Sequence, residues 1–134
     1  MNNVLSELFA AIDNPLAYHC RLWGYVPGHS QLLVRVHQGE FLNGEVFFLG
    51  FEGVHYVECP TSWIGIDFRL GSPEECKAVI RKANLVISAE MIDVFLNAHH
   101  LFVIDRSDCR IQILAWAAHR LSQVPEHFRG SPKA

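Results

Sequence analysis

Apolar residues recur at helical spacing at the start of the chain. Five of them fall on one side of a helix drawn through this segment: Val4, Leu5, Leu8, Phe9 and Ile12. Asn2 or Asn3 is available to cap the first turn, and Pro15 would end the run. The pattern therefore predicts one amphipathic helix between Asn2 and Asp13.

From Leu16 to Leu70 the apolar period changes from helical spacing to alternation, which is typical of half-buried strands. The alternation predicts about five strands: Tyr18–Val26, Gln31–Leu42, Glu45–Phe51, Val54–Cys59 and Trp63–Leu70. The last of these alternates most regularly, with Ile64, Ile66 and Phe68 on one side. We therefore expect Trp63–Leu70 to form one continuous strand.

Turn-forming residues separate these predicted strands. Pro27-Gly28 lies between the first two, and Asn43-Gly44 is the strongest two-residue hairpin signal in the chain. Glu52-Gly53 allows a reversal, and Pro60-Thr61-Ser62 precedes the last strand. Gly39, inside the second predicted strand, suggests a bulge. Consecutive strands joined by short turns predict an antiparallel meander.

Helical signals return after the meander. Ser72-Pro73-Glu74-Glu75 is a capping box with proline at the first helical position, so a helix should begin there. Its predicted buried stripe contains Cys76, Val79, Ile80 and Ala83. A second, shorter helix is predicted around Met91–Leu96, with Ser88 available as its cap.

The remainder of the chain has an ambiguous pattern. Leu101–Asp105 and Cys109–Trp116 look like the two strands of a hairpin around Arg106-Ser107-Asp108. A helix remains an alternative for 109–122, because several apolar residues there also fit a helical stripe: Ile111, Leu114, Ala115 and Ala118. The tail 124–134 contains prolines and a glycine and is predicted to fray.

The order of these elements predicts an α+β fold. A curved antiparallel β-meander of about five strands, plus a C-terminal hairpin, should pack with the N-terminal helix and with one or two helices that follow the meander. Neither an internal repeat nor a shift in composition divides the chain. We therefore expect residues 1–134 to form one domain.

Composition narrows the class of protein. The 134 residues carry 11 basic and 14 acidic side chains, for a net charge of −3, and half of the residues are hydrophobic. Such a chain is too apolar for intrinsic disorder and too weakly basic for a typical nucleic-acid module. No long apolar run and no signal-like start occur. The expectation is a cytoplasmic protein that binds neither nucleic acid nor membrane.

Cysteines and histidines are numerous without forming a recognisable metal or cofactor motif. The four cysteines are widely spaced and include no C-x-x-C pair: Cys20, Cys59, Cys76 and Cys109. They are predicted to be small core residues. None of the eight histidines occurs in a zinc-protease spacing, and the glycines form no phosphate-binding loop. The sequence therefore predicts no metal site and no cofactor.

Strand alternation indicates one candidate ligand surface. Arg21 and Trp23 share one side of the first predicted strand, Arg35 and His37 one side of the second, and Asp67 and Arg69 one side of the fifth. If these sides form a common face, its arginines and aromatic ring would suit a small anionic or planar ligand. A simpler interpretation is a solvated face on which the arginines pair with nearby acids.

The function remains open between classes. We favour a ligand-binding or protein-interaction module without catalysis, because nucleophile and phosphate-loop signatures are missing. A small enzyme using His37 or His55 with Asp67 as acid–base groups is the alternative. A structural or inhibitory partner of a larger protein is a third possibility, which the sequence does not separate from the first.

Self-association is also predicted. Val46-Phe47-Phe48-Leu49 is apolar on both sides of its strand, so it needs two layers of cover. In a short chain the second layer can be another copy, which favours a homodimer. Cover by elements of the same chain is the competing explanation.

Overall fold

The computed structural model describes residues 4–39 and 46–128, and in them the predicted α+β fold with antiparallel sheets is confirmed. Three α-helices occur in these residues: α1 at Val4–Leu8, α2 at Pro73–Lys82 and α3 at Ile92–Ala98. The strands are β1 Tyr18–Val26, β2 Gln31–Gln38, β3 Val46–Glu52, β4 Tyr56–Glu58, β5 Ser62–Ile64, β6 Arg69–Leu70, β7 His100–Asp105, β8 Arg110–Ala115 and β9 Ala117–Leu121.

The strands form two antiparallel sheets rather than one meander. The first sheet has the order β5-β1-β2-β3-β9, and the second has the order β4-β8-β7-β6. The chain crosses from the first sheet to the second after Gly53, whose φ of 61° is in the left-handed region that favours glycine. It returns to the first sheet for β5, enters the second sheet again at β6, and crosses back a last time between β8 and β9, at Trp116. The predicted reversal at Glu52-Gly53 is therefore a passage between sheets.

The main core lies between the two sheets. Val34, Leu49 and Phe51 face inward from the first sheet and meet Phe102 and Ile113 of the second in one buried cluster. Phe51 and Phe102 make an edge-to-face contact with ring centroids 5.2 Å apart. Burial of both inner faces accounts for the dense apolar alternation of these strands.

The helices after β6 cover the other face of the second sheet. Cys76, Val79 and Ile80 of α2 form a separate buried cluster with Leu101, Val103 and Leu114. The capping box is confirmed: Ser72 Oγ accepts a hydrogen bond from Glu75 N, and Glu75 accepts one from Ser72 N. The molecule thus has three layers, in the order first sheet, second sheet, helices.

Cover on the outer face of the first sheet is partial. Leu33 and Phe48 point to this side and are buried, with Leu121 directly opposite Phe48 on β9. Residues 126–128 form a 3-10 turn, and the ring of Phe128 lies against Gly24, where a Cβ atom would come within 3.3 Å of it. The tail therefore continues in ordered structure to Phe128, beyond the point where fraying was predicted.

The predicted strand Trp63–Leu70 is wrong. Gly65 has a φ of 107°, so the strand ends at Ile64, and β6 begins only at Arg69 in the other sheet. Gly65 O accepts hydrogen bonds from Trp63 Nε1 at 3.1 Å and from Cys20 Sγ at 3.5 Å. These contacts hold the break in place, which alternation alone does not reveal.

Other predictions have mixed outcomes. The hairpin of β7 and β8 is confirmed, and the helical alternative for 109–122 is wrong, because the second half of that segment forms β9. Helix α1 is shorter than predicted, since the chain leaves helical geometry before Ala11, whose φ is 65°. The predicted caps Asn2 and Asn3 and the Asn43-Gly44 turn lie outside the described residues. In the part of the chain that the structure describes, no helix is long and apolar enough to cross a membrane.

Candidate ligand-binding groove

A groove of about 1090 Å³ lies on the first sheet, across β1, β2 and β5. The β7–β8 loop forms its far wall and contributes Arg106, Asp108 and Cys109. Four of the six residues predicted to bind a ligand line this groove: Arg21, Trp23, Arg35 and His37. We call this surface the arginine groove.

Register between β1 and β2 sets the composition of the groove. Arg21 lies directly opposite Arg35, and His19 lies directly opposite His37. Directly opposite residues of antiparallel strands point to the same side, with Cα atoms about 4.5–5.5 Å apart. The arginine pair and the histidine pair therefore lie on the same side of the sheet, two residues apart along each strand. The two imidazole rings are stacked, with centroids 5.1 Å apart.

A bulge in β1 lies between the arginine groove and the part of this face that Phe128 covers at Gly24. The register shifts between Leu22 and Gly24, so Trp23 is the additional residue. Its ring lies 6.1 Å from the Phe48 ring, and the Arg35 guanidinium lies over it at 5.6 Å. Trp23 nevertheless remains 48% exposed. It therefore offers a flat apolar wall beside the two arginines.

The arginine groove is positively charged. Within residues 4–39 and 46–128, neither Arg21 nor Arg35 forms an ion pair, and Asp108, the acidic residue in the lining, pairs with neither. Burial lowers the pKa of His37, and the charges of Arg35, His19 and Arg21 lower it further. His37 Nδ1 is buried and has no hydrogen-bond partner among the described residues. The neutral imidazole is thus the favoured form.

Asp67 lies outside the predicted face. It follows Gly65 in the segment that breaks the predicted strand, and its carboxylate accepts two hydrogen bonds from Arg106, at 2.8 and 3.0 Å. These bonds lower the pKa of Asp67. Arg106 also donates to Ile64 O, so the pair ties the β7–β8 loop to β5. Asp67 therefore helps to position the far wall of the groove.

Arg69 belongs to the second sheet, so the prediction that it shares a face with Arg21 is wrong. Its guanidinium donates two hydrogen bonds to Glu75, each of 2.8 Å, and a third of 2.7 Å to Asp105. These contacts lower the pKa of Glu75 to about 2. Arg69 therefore joins β6 to the first turn of α2 and to the end of β7. The simpler interpretation, pairing with nearby acids, holds for Arg69.

The acid–base arrangement considered as an alternative is not formed. His37 lies in the arginine groove and Asp67 pairs with Arg106, whereas His55 packs beside α3. There the His55 ring is 4.9 Å from His99, and burial lowers its pKa. His55 lies outside the lining of the groove, and the Asp67 carboxylate is bonded to Arg106 rather than to either imidazole.

Cysteines in the groove differ in accessibility. Cys20 is buried and hydrogen-bonded, and burial raises its pKa to about 12. Cys109 is exposed on the far wall, so its prediction as a core residue is wrong. Cys76 is buried as predicted, and Cys59 is half-buried. No cluster of three or more potential metal ligands occurs within the described ranges.

Sequence reasoning missed several residues of the groove. His19 could have been found, because it precedes Arg21 by two residues and must share its side of β1. Trp63, Ile64 and Arg106 carried no such signal, since they reach the groove through contacts between strands and loops far apart in sequence.

No protein family, curated protein or solved structure matches the chain.

Proposed function

We propose that this protein binds a small ligand with an anionic group and a planar apolar part in the arginine groove. The carrying observation is the cross-strand pair Arg21 and Arg35, which has no carboxylate partner among the described residues. Guanidinium groups recognise carboxylate, sulfonate and phosphate oxygens with forked hydrogen bonds. The exposed face of Trp23 supplies the apolar wall next to them.

Binding rather than catalysis is the proposed activity. The groups that line the groove can hold and orient an anion, and the pairing of Asp67 with Arg106 favours binding over the acid–base set considered above. At about 1090 Å³ the groove is slightly larger than ordinary small-molecule sites, for which volumes of about 300–1,000 Å³ are common.

The proposal can be tested by NMR titration of the 15N-labelled chain with 1-naphthyl phosphate and, separately, with naphthalene-1-sulfonate. We expect saturable shifts of the Trp23 indole and of the Arg21 and Arg35 amides with at least one probe. Arg35→Gln should weaken binding by about tenfold, equivalent to about 1.4 kcal/mol.

Arg81→Gln is the matched control, since Arg81 lies on the exposed side of α2, away from the groove. It should bind as the parent does. The proposal fails if neither probe shifts the groove resonances, or if the shifts cluster around α3.

The homodimer remains a prediction, but the strand on which it was based no longer supports it. Its basis was the two-sided apolar strand β3, and the outer residue Phe48 is covered within the chain by Trp23 and Leu121. Large exposed apolar side chains do occur around α3: Val86, Met91 and Val94. A second copy that covers these residues is the form of dimer we propose.

A further inference from the structure

Two like charges face each other in the arginine groove at a cost to the fold. Arg21 and Arg35 are direct cross-strand partners, a placement in which like charges are destabilising. The contact of Arg35 with the Trp23 ring offsets part of this cost, but no carboxylate among the described residues neutralises either guanidinium. As far as the described residues show, the groove thus holds two positive charges without a neutralising carboxylate.

Three other arginines of the described residues are neutralised, whereas Arg81 and Arg120 form no ion pair there. Arg69 pairs with Glu75 and Asp105, Arg106 pairs with Asp67, and Arg110 pairs with Asp105. Each of these pairs ties two elements together. Within residues 4–39 and 46–128, Arg21 and Arg35 make no comparable ion-pair bridge between elements, so ion pairing does not account for their placement.

Two histidines lie next to the arginine pair. The stacked pair His19 and His37 lies one cross-strand step from the arginines, about 6.8 Å along the strands. The arginines disfavour protonation of His37 in the free protein, and a bound dianion would offset that effect. Arg106 and Asp108 face the region from the β7–β8 loop, and they bring opposite charges.

Charge balance distinguishes between classes of anion. A carboxylate or sulfonate carries one negative charge and would leave the Arg21–Arg35 pair with an excess positive charge. A phosphate monoester carries about −1.5 to −2 at neutral pH and offers three oxygens to two guanidinium forks. Two opposed arginines therefore fit a doubly charged tetrahedral group better than a singly charged one.

Resting on the proposed function, we propose that the arginine groove is selective for a phosphate monoester of a planar aromatic group. The phosphate would lie between Arg21 and Arg35, and the ring would lie against Trp23. The arginine pair supplies the charge selectivity, and Trp23 supplies the preference for an aromatic ester over free phosphate.

Two probes with the same ring test this selectivity. 1-Naphthyl phosphate and naphthalene-1-sulfonate both carry a tetrahedral anion on naphthalene, with charges near −2 and −1 at pH 8, because the second pKa of a phosphate ester is about 6. Calorimetric titration at pH 8 should give at least about tenfold tighter binding for the phosphate. Inorganic phosphate should compete only at much higher concentration.

Variants assign the preference to the arginine pair. Arg21→Gln and Arg35→Gln should each reduce the ratio of the two affinities to about threefold or less, and Arg81→Gln should leave it unchanged. Arg21 is exposed, so its variant should fold, and loss of the like charge should leave thermal stability unchanged or raised. A purely structural arginine would lower that stability.

The outcomes separate this inference from the proposed function. Equal affinity for the two naphthyl probes, or a preference that survives both arginine variants, overturns phosphate selectivity and leaves ligand binding in place. Competition by inorganic phosphate at the same concentration as the ester overturns the role of the aromatic ring. Failure of both probes to bind overturns the inference and the proposed function together.

Discussion

In the arginine groove, the charge pairing and exposure of a residue depend on its neighbours rather than on its residue type. Arg106 and Arg35 both line the groove, yet Arg106 is engaged by Asp67 whereas Arg35 faces another arginine. Cys20 and Cys109 also line it, yet the first is buried and the second is exposed. The chemistry available to a ligand therefore comes from the residues that the fold leaves unpaired.

Cys109 provides a residue-level test of this arrangement. Burial raises the pKa of Cys20 to about 12 and that of Cys59 to about 11, so both stay protonated at pH 8, and Cys76 is buried. Because the thiolate is the reactive form, iodoacetamide at pH 8 should label Cys109 first and add one group per chain. Peptide mass mapping over time measures this order.

Ligand occupancy gives the same reagent a second use. 1-Naphthyl phosphate in the groove should slow alkylation of Cys109, which lies on the far wall. Cys109→Ser should abolish the fast phase. Rapid labelling of Cys20 or Cys76 in the native protein would contradict the described burial.

At the scale of elements, Gly65 determines how the middle of the chain is divided. Its φ of 107° suits glycine, and an added methyl group would collide with the side chains of Arg106 and Asp67. Gly65→Ala should therefore lower the free energy of unfolding by about 1–3 kcal/mol, as expected for strained backbone. Urea denaturation measures the change.

Gly28→Ala is the matched control for Gly65→Ala. Gly28 lies in an exposed 3-10 turn where a Cβ atom would meet nothing within 4 Å. Its replacement should be neutral or slightly stabilising, because alanine restricts the unfolded chain. Equal stability of the two variants would show that Gly65 carries no conformational requirement.

Local sequence patterns predicted individual helices and strands well. They did not predict which strands belong to which sheet. The capping box at Ser72 fixes the start of α2 through bonds between residues three apart. The split between β5 and β6 depends instead on hydrogen bonds at Gly65. Its carbonyl oxygen accepts from Trp63 and Cys20, and its N–H donates to Tyr18 O. Cys20 and Tyr18 are both far from Gly65 in sequence. Arg21, Trp23, Arg35 and His37 were predicted together because β1 and β2 are sequential neighbours.

At the scale of the molecule, the two sheets leave one half of an outer face open. Phe128 and Leu121 cover Gly24 and Gly50 on that face, and the uncovered half is the arginine groove. The β7–β8 hairpin of the second sheet closes its far side through Arg106. Binding at the groove should therefore depend on packing between both sheets.

Histidines on both sheets should make stability depend on pH over the whole molecule. The pKa values of His37, His55 and His100 are all lowered from the ordinary 6.5, first by burial and then by nearby positive charge or by His99. Well above pH 6.5 these groups are neutral in both the folded and the unfolded chain. As the pH falls through 6.5 the unfolded chain takes up protons first, so the free energy of unfolding should fall.

The carboxylates act in a separate and more acidic window. Arg69 holds the pKa of Glu75 near 2, below its ordinary 4.5, so the stability that this contact contributes is present above pH 4.5 and is lost toward pH 2. Urea denaturation at constant ionic strength should therefore show one decline between pH 7 and 5 and another below pH 4.5.

Replacement of His55 separates the two windows. His55→Gln should flatten only the decline between pH 7 and 5, because the contacts of Glu75 lie elsewhere, at Arg69 and Ser72. A free energy of unfolding that rises as the pH falls from 7 to 5 would contradict the lowered histidine pKa values. Since His37 lies in the arginine groove, a bound dianion that favours its protonation should also make the first decline shallower. The pH dependence of folding and the occupancy of the groove are then linked through this one imidazole.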